Sequence, residues 1–486
     1  LFNLFNTKVI GLLRCFSGGE SKLFLKFLQS PYFNTNANVV ELYRYLHKFA
    51  PDYTHANLHR ERVFAHLFGN EVFKDIKIRQ FATLLADLIE QFWATEQWRK
   101  QPLQVQLHLA NAFLQHGLDA HLNDTLVHIE QSDNIAMGNS AAYYHRQLQA
   151  NELLHQSIEN QQQRDQEPNL QKVSDYLDAY YLVNKLKYAC KALSFQRFKN
   201  EPYNLQLLTE VSAHLQQNDY SQHPAIQIYY HALLTFDADL ALSEQHFEEL
   251  KAQLFAHQQA FNITEKQEMF TMVHNYCTRQ LNLNNRRYLA ILFEVYVFEI
   301  EHHIISPDGN VPAGLYRNIV TVAQYQQQYE WLERFIAQFR HSVDEDTYLL
   351  NLARVWFEQG KFEQVVGLLK DKSYDEALTM PAFKSLQLRT YYELYQTDEG
   401  DNDLDYGEYL DNGLVNFIAL LKRRRKEWTT HYAYYFNFAK YLQQLSKWTY
   451  QPKIYTKQLA QLAQTVEQTT EVAEKSWLLA KIVGLK

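Results

Sequence analysis

Leu352-Ala353-Arg354-Val355-Trp356-Phe357-Glu358-Gln359-Gly360-Lys361-Phe362-Glu363-Gln364-Val365 sets a large apolar residue beside a small one, then an aromatic, then a glycine ahead of a second apolar run. A copy lies 33 residues earlier: Ile319, Val320, Ala323, Tyr329, Leu332, Phe335 and Ile336 fall opposite Leu352, Ala353, Trp356, Phe362, Val365, Leu368 and Leu369. A period near 33 is the length of a two-helix unit that cannot bury its apolar face alone and must stack on neighbours. The spacing predicts an all-α chain, a superhelical α-hairpin repeat solenoid over at least its C-terminal half. The natural product of such a fold is a surface rather than a reaction. A weaker echo, Leu109, Ala110, Phe113, Gly117 and Leu122, repeats the spacing of Leu352, Ala353, Trp356, Gly360 and Val365.

The segment Leu352–Val365 resembles a tetratricopeptide repeat, in which small residues let paired helices approach and a glycine allows the tight connection. This chain departs from that pattern in three places. Val365 stands where alanine is usual, Gln327 replaces the turn glycine of the preceding copy, and Pro381 comes a few residues late. The resemblance covers about 60 residues. It implies a concave groove lined by first-helix positions lying between the packing ones. Carried onto this sequence, these are Arg317, Thr321, Gln324 and Tyr325, then Leu350, Arg354, Phe357 and Glu358. Arg317 and Arg354 would pair with carboxylates of a partner, and Tyr325 and Phe357 would stack on its apolar side chains. The Ser30–Asn34 motif with its flanking helices resembles a group of uncharacterised Bacteroidota helical proteins, which implies no activity.

Composition agrees with the helical reading. Fourteen Gly and ten Pro in 486 residues are too few for the turns of a sheet protein. The 33 Tyr and 30 Phe suit wide seams between stacked helices. A net charge of −8 argues against a general binder of nucleic acid or anionic membranes, although residues 1–100 carry 13 basic against 9 acidic side chains. Cys15, Cys190 and Cys277 have no short spacing, so neither a disulfide framework nor a thiolate metal site is expected, and free thiols suit a cytoplasmic location. No apolar run approaches the ~20 residues of a membrane span. Arg14 directly before Cys15, with no positive stretch ahead of Val9–Leu13, gives no export signal.

Breakers suggest three regions: an N-terminal helical module over 1–100, helical hairpins over 101–165, and a solenoid with capping helices over 166–486. Ser17 and Glu20 have capping-box spacing. Ile78, Phe81, Leu85, Leu88 and Phe92 form one stripe, widened by Leu84 and Ile89. The polar run from Asn160 to Asn169 is the candidate boundary, and Thr397–Tyr406 reads as an acidic loop.

Several constellations bear on chemistry. Glu152…His155 and Glu299…His302 match the ExxH of di-iron bundles, but 20 histidines give about one such match by chance, so no metal or other cofactor is expected. Asp401, Asp403 and Asp405 alternate like a calcium loop, yet Tyr406 and Asn412 stand where it needs Gly and Glu. Lys422-Arg423-Arg424-Arg425-Lys426 reads as the basic end of a helix, with an anion or acidic-peptide contact as the alternative. No GxGxxG, GxxxxGK[ST] or GxSxG frame occurs. The expectation is a non-catalytic scaffold or adaptor that takes a peptide or partner helix in its groove. Two alternatives stay open: a regulator whose N-terminal module meets DNA through Lys74, Lys77, Arg79 and Gln80, and an enzyme or metal protein with a site among the helices.

Overall fold

The computed structural model describes residues 7–69, 71–136, 140–161, 167, 169–199, 202–237, 239–369, 380–397, 405–426, 431–449 and 451–485. Among these residues the chain forms 23 α-helices and three 3-10 turns, and no strand. It divides into two compact units, Leu1–Phe236 with Phe255–Phe261, and Asp237–Leu254 with Asn262–Lys486.

The first unit opens with α1 (Lys8–Arg14), α2 (Gly18–Gln29), α3 (Ala37–His47), α4 (Arg60–Phe68) and α5 (Asp75–Arg99). The capping box forms: the Ser17 hydroxyl accepts from the Glu20 backbone N–H, and the Glu20 carboxylate accepts from that of Ser17. α5 is the axis of this group. Its Ile78, Leu85, Leu88, Ile89 and Phe92 are buried with Phe24, Leu28, Leu42 and Phe64. Leu84 departs from expectation and is 38% exposed, because at about 100° per residue it falls at the edge of the stripe.

There follow α6 (Pro102–Gln115), α7 (Asp119–Ala136), α8 (Ala141–Asn160), α9 (Leu170–Lys199), α10 (Leu208–Gln217) and α11 (Pro224–Leu234). α6 packs on α7 and α8, α8 on α9, and α9 on α10 and α11. Gly117 turns the corner between α6 and α7 at φ +67, a backbone region open to glycine without cost. Most of the run from Asn160 to Asn169 lies outside the described residues.

The second unit contains the greater part of α12 (Leu240–His257), then α13 (Ile263–Asn282), α14 (Arg287–Glu301), α15 (Ala313–Tyr325), α16 (Tyr329–Gln338), α17 (Glu345–Glu358), α18 (Phe362–Leu369) and α19 (Met380–Thr397). It closes with α20 (Tyr406–Arg423), α21 (Tyr432–Thr449), α22 (Thr456–Gln468) and α23 (Lys475–Gly484). From α13 to α21 each helix packs on the next, and α17 and α19 also reach α19 and α21. Most of the residues aligned by the 33-residue shift are buried, while Tyr329, Phe362 and Leu368 are half-buried. Ile319, Val320, Ala323, Leu332, Phe335 and Ile336 are buried, as are Leu352, Ala353, Val365 and Leu369. Trp356, expected inside, is half-buried, because its indole N–H reaches out to Glu333 Oε1 at 2.8 Å. Gly360 takes φ +74 at the tip of the second hairpin, and Gln327 takes φ +54 at the tip of the first.

Candidate functional site

The eight groove positions divide sharply. In α15, Arg317, Thr321 and Tyr325 are exposed and Gln324 is half-buried. In α17, Leu350 and Phe357 are buried in a core shared with Phe383 and Leu386 of α19, so they do not face an open groove. The reason is that α19 packs directly on α17. Arg354 is half-buried and Glu358 is exposed.

The open side of α15 forms one wall of a cleft of about 430 Å³ whose other walls are α13 and α14. Leu281, Leu289, Leu292, Tyr296 and Val322 make its apolar lining, and Thr278, Asn284, Arg286, Asn318 and Thr321 add polar groups. Tyr325 stands in its wall 66% exposed. Thr321 Oγ1 donates to the Arg317 carbonyl at 2.8 Å, which restrains its rotamer. Burial and the neighbouring Glu299 push the Tyr296 phenol well above its ordinary range, so it stays protonated. Arg317 and Gln324 are not part of the lining. An apolar floor with dispersed polar groups suits recognition of a side chain or short segment.

Over α17 the corresponding space is filled. Arg389 of α19 lies over the Phe357 ring, 4.1 Å from its centroid, and 5.3 Å from the centroid of Trp477. Its guanidinium donates to Glu474 at 2.8 Å and approaches Glu358 at 3.5 Å. Burial lowers the Arg389 pKa, while Glu474 and Glu358 act to raise it. One turn on, Glu393 accepts from the Trp477 indole at 2.7 Å and pairs with Lys481. Sequence reasoning missed Arg389, Glu393 and Glu474. Arg389 and Glu393 share a helix face at i, i+4, but nothing local marks that face as covered.

The remaining candidates go elsewhere. Glu299 is buried and pairs with His274 at 2.6 Å, whereas His302 bonds the Phe298 carbonyl. His155 lies 3.5 Å from Glu159. Among the described residues no group of three or more His, Cys, Asp or Glu could hold a metal ion. Asp401 and Asp403 lie outside the described residues, and Asp405 caps α20 by accepting from the Glu408 backbone N–H. Lys422 and Arg423 form the exposed basic end of α20, and Arg425 sits 5.2 Å over Tyr432. Lys77 lies over Phe68 at 3.6 Å and pairs with Glu71, while Arg79 pairs with Asp75, so two of the four candidate DNA contacts are engaged within the module. No described helix is long and apolar enough to cross a membrane. Comparison with family models, with curated proteins and with solved structures finds no match for the chain.

Proposed function

We propose that this is a tetratricopeptide-like α-hairpin scaffold, and that the cleft between α13, α14 and α15 receives an apolar or aromatic side chain from a segment of a protein partner. The observation that carries this reading is the cleft itself. It has an apolar floor of Leu292, Val322 and Tyr296, all buried, beside an exposed Tyr325. Tyrosine is enriched among the residues that carry most of the binding energy at interfaces. Arg286 at the head of α14 would favour an acidic residue beside the inserted side chain. The reading includes a reducing, cytoplasmic setting, which suits Cys190 and Cys277, two buried free thiols that burial pushes up to about 12.

A photo-crosslinking residue placed at Tyr325, with a second variant carrying it at exposed Glu330, tests the assignment in native extract. The expected result is a discrete adduct from position 325 that is absent from position 330 and is lost when Thr321→Lys blocks the cleft. Equal labelling from both positions, or an adduct indifferent to Thr321→Lys, overturns the reading.

A further inference from the structure

The longest described helix carries apolar side chains on the side away from its core. α9 runs for 30 residues, and its inner side is set by buried Ala179, Leu182, Val183, Leu186, Ala189 and Cys190. On the opposite side Leu170, Leu177, Tyr181, Tyr188 and Phe195 are 53%, 50%, 41%, 62% and 43% exposed. At about 100° per residue these five fall within an arc of about 40°, forming one line about 38 Å long. Single exposed apolar residues are ordinary, but a continuous line of five is not. The steps of seven and four residues between them are those of a seam between two helices.

The line also reads alike from either end. Turned about a point between Leu182 and Val183, Leu170 falls on Phe195, Leu177 on Tyr188, and Tyr181 on the half-buried Asn184. Charge follows the same turn. The first half of α9 carries Asp175 and Asp178 against Lys172, whereas the second carries Lys185, Lys187, Lys191, Arg197 and Lys199 with no acid. Two copies laid parallel would set basic end on basic end. Laid antiparallel, they set the acidic half on the basic half, and Asp178 comes beside Lys185 of the second copy on both sides of the two-fold axis.

We propose that α9 is a self-association seam on which a second copy of this chain docks antiparallel, Leu177 against Tyr188 of the second copy. The proposal is independent of the cleft and of any peptide partner. Light scattering during gel filtration, from micromolar to near-millimolar protein, should give a dimer that dissociates on dilution. Leu177→Lys with Tyr188→Lys should give a monomer with unchanged helical circular dichroism. Asp178→Lys or Lys185→Asp alone should weaken association severalfold, and the two together should restore it. In a Cys15→Ser background, which removes the exposed thiol, mixed Leu177→Cys and Tyr188→Cys chains should cross-link to each other while neither links to itself. A monomer at every concentration, a dimer that survives the double lysine variant, or self-linking of each cysteine variant overturns the proposal.

Discussion

Arg317 and Leu350 hold the same position in two hairpins 33 residues apart, as do Thr321 and Arg354, Gln324 and Phe357, and Tyr325 and Glu358. Most packing positions of the two hairpins are buried in both, yet these intervening ones differ. In the first hairpin Arg317, Thr321 and Tyr325 stay open, and Thr321 and Tyr325 line a cleft. In the second they meet α19, so Phe357 disappears beneath Arg389 and Leu350 enters a core. A repeat period fixes which side of a helix serves its own hairpin. What happens on the other side is decided by whichever element arrives next, and here that element lies beyond the repeat.

The largest test of this contrast is the pair Phe357→Ala and Gln324→Ala. The first removes a buried aromatic and should cost about 3–5 kcal/mol, while the second should stay within about 0.5 kcal/mol. Denaturant unfolding measures both, and equal losses would erase the distinction. Arg389→Met keeps the apolar contact with Phe357 but strands Glu474 and Glu358. Both carboxylates retain some access to water, at 34% and 44% exposure. The cost should therefore be about 2–3 kcal/mol, below the ~3–5 kcal/mol of a fully buried pair broken from one side.

The hairpin tips give a smaller contrast. Gly360→Gln forces a side chain into the backbone region that Gln327 already occupies, with no neighbour within 4 Å of the new Cβ, so the loss is conformational and about 1–2 kcal/mol. Gln327→Gly should raise the melting temperature slightly, the gain being held below about 1 kcal/mol by the freedom glycine has when unfolded.

The smallest effect is at the joint between the hairpins. The Trp356 indole and Lys361 hold the Glu333 carboxyl below its usual range. A depressed carboxyl stabilises the fold fully above the ordinary glutamate pKa, and that contribution is lost as pH falls through the lowered value. Glu333→Gln should therefore be less stable than the wild type at neutral pH and converge with it in acid. A constant difference across that range would mean that ionisation plays no part.

Much of this architecture was legible from residues close in sequence. The Ser17–Glu20 cap, the turns at Gly117 and Gly360, the Ile78–Phe92 stripe and the shift between Ile319 and Leu352 all follow from local periodicity and backbone preference. They need no knowledge of distant partners. The candidate cleft was legible only where distant chain does not intervene. Thr321 and Tyr325 line an open cleft, but the fates of Leu350 and Phe357 depended on α19 and its Arg389, whose own sequence context gives no sign of burial. Leu281, Leu289 and Tyr296 went unassigned for a related reason: α13 and α14 lie before the recognisable repeats and share no register with them.

The fastening of α23 to α19 changes how the second unit comes apart. Where helices touch mainly their chain neighbours, melting can begin at a terminus and advance one hairpin at a time. Here Glu474, Trp477 and Lys481 grip Arg389 and Glu393 across 84 to 88 residues of sequence. Loosening the last helix therefore uncovers charged groups in the middle of the unit. Amide protons of α23 should exchange with solvent about as slowly as those of α19, making the final five helices one cooperative block instead of a fraying tail.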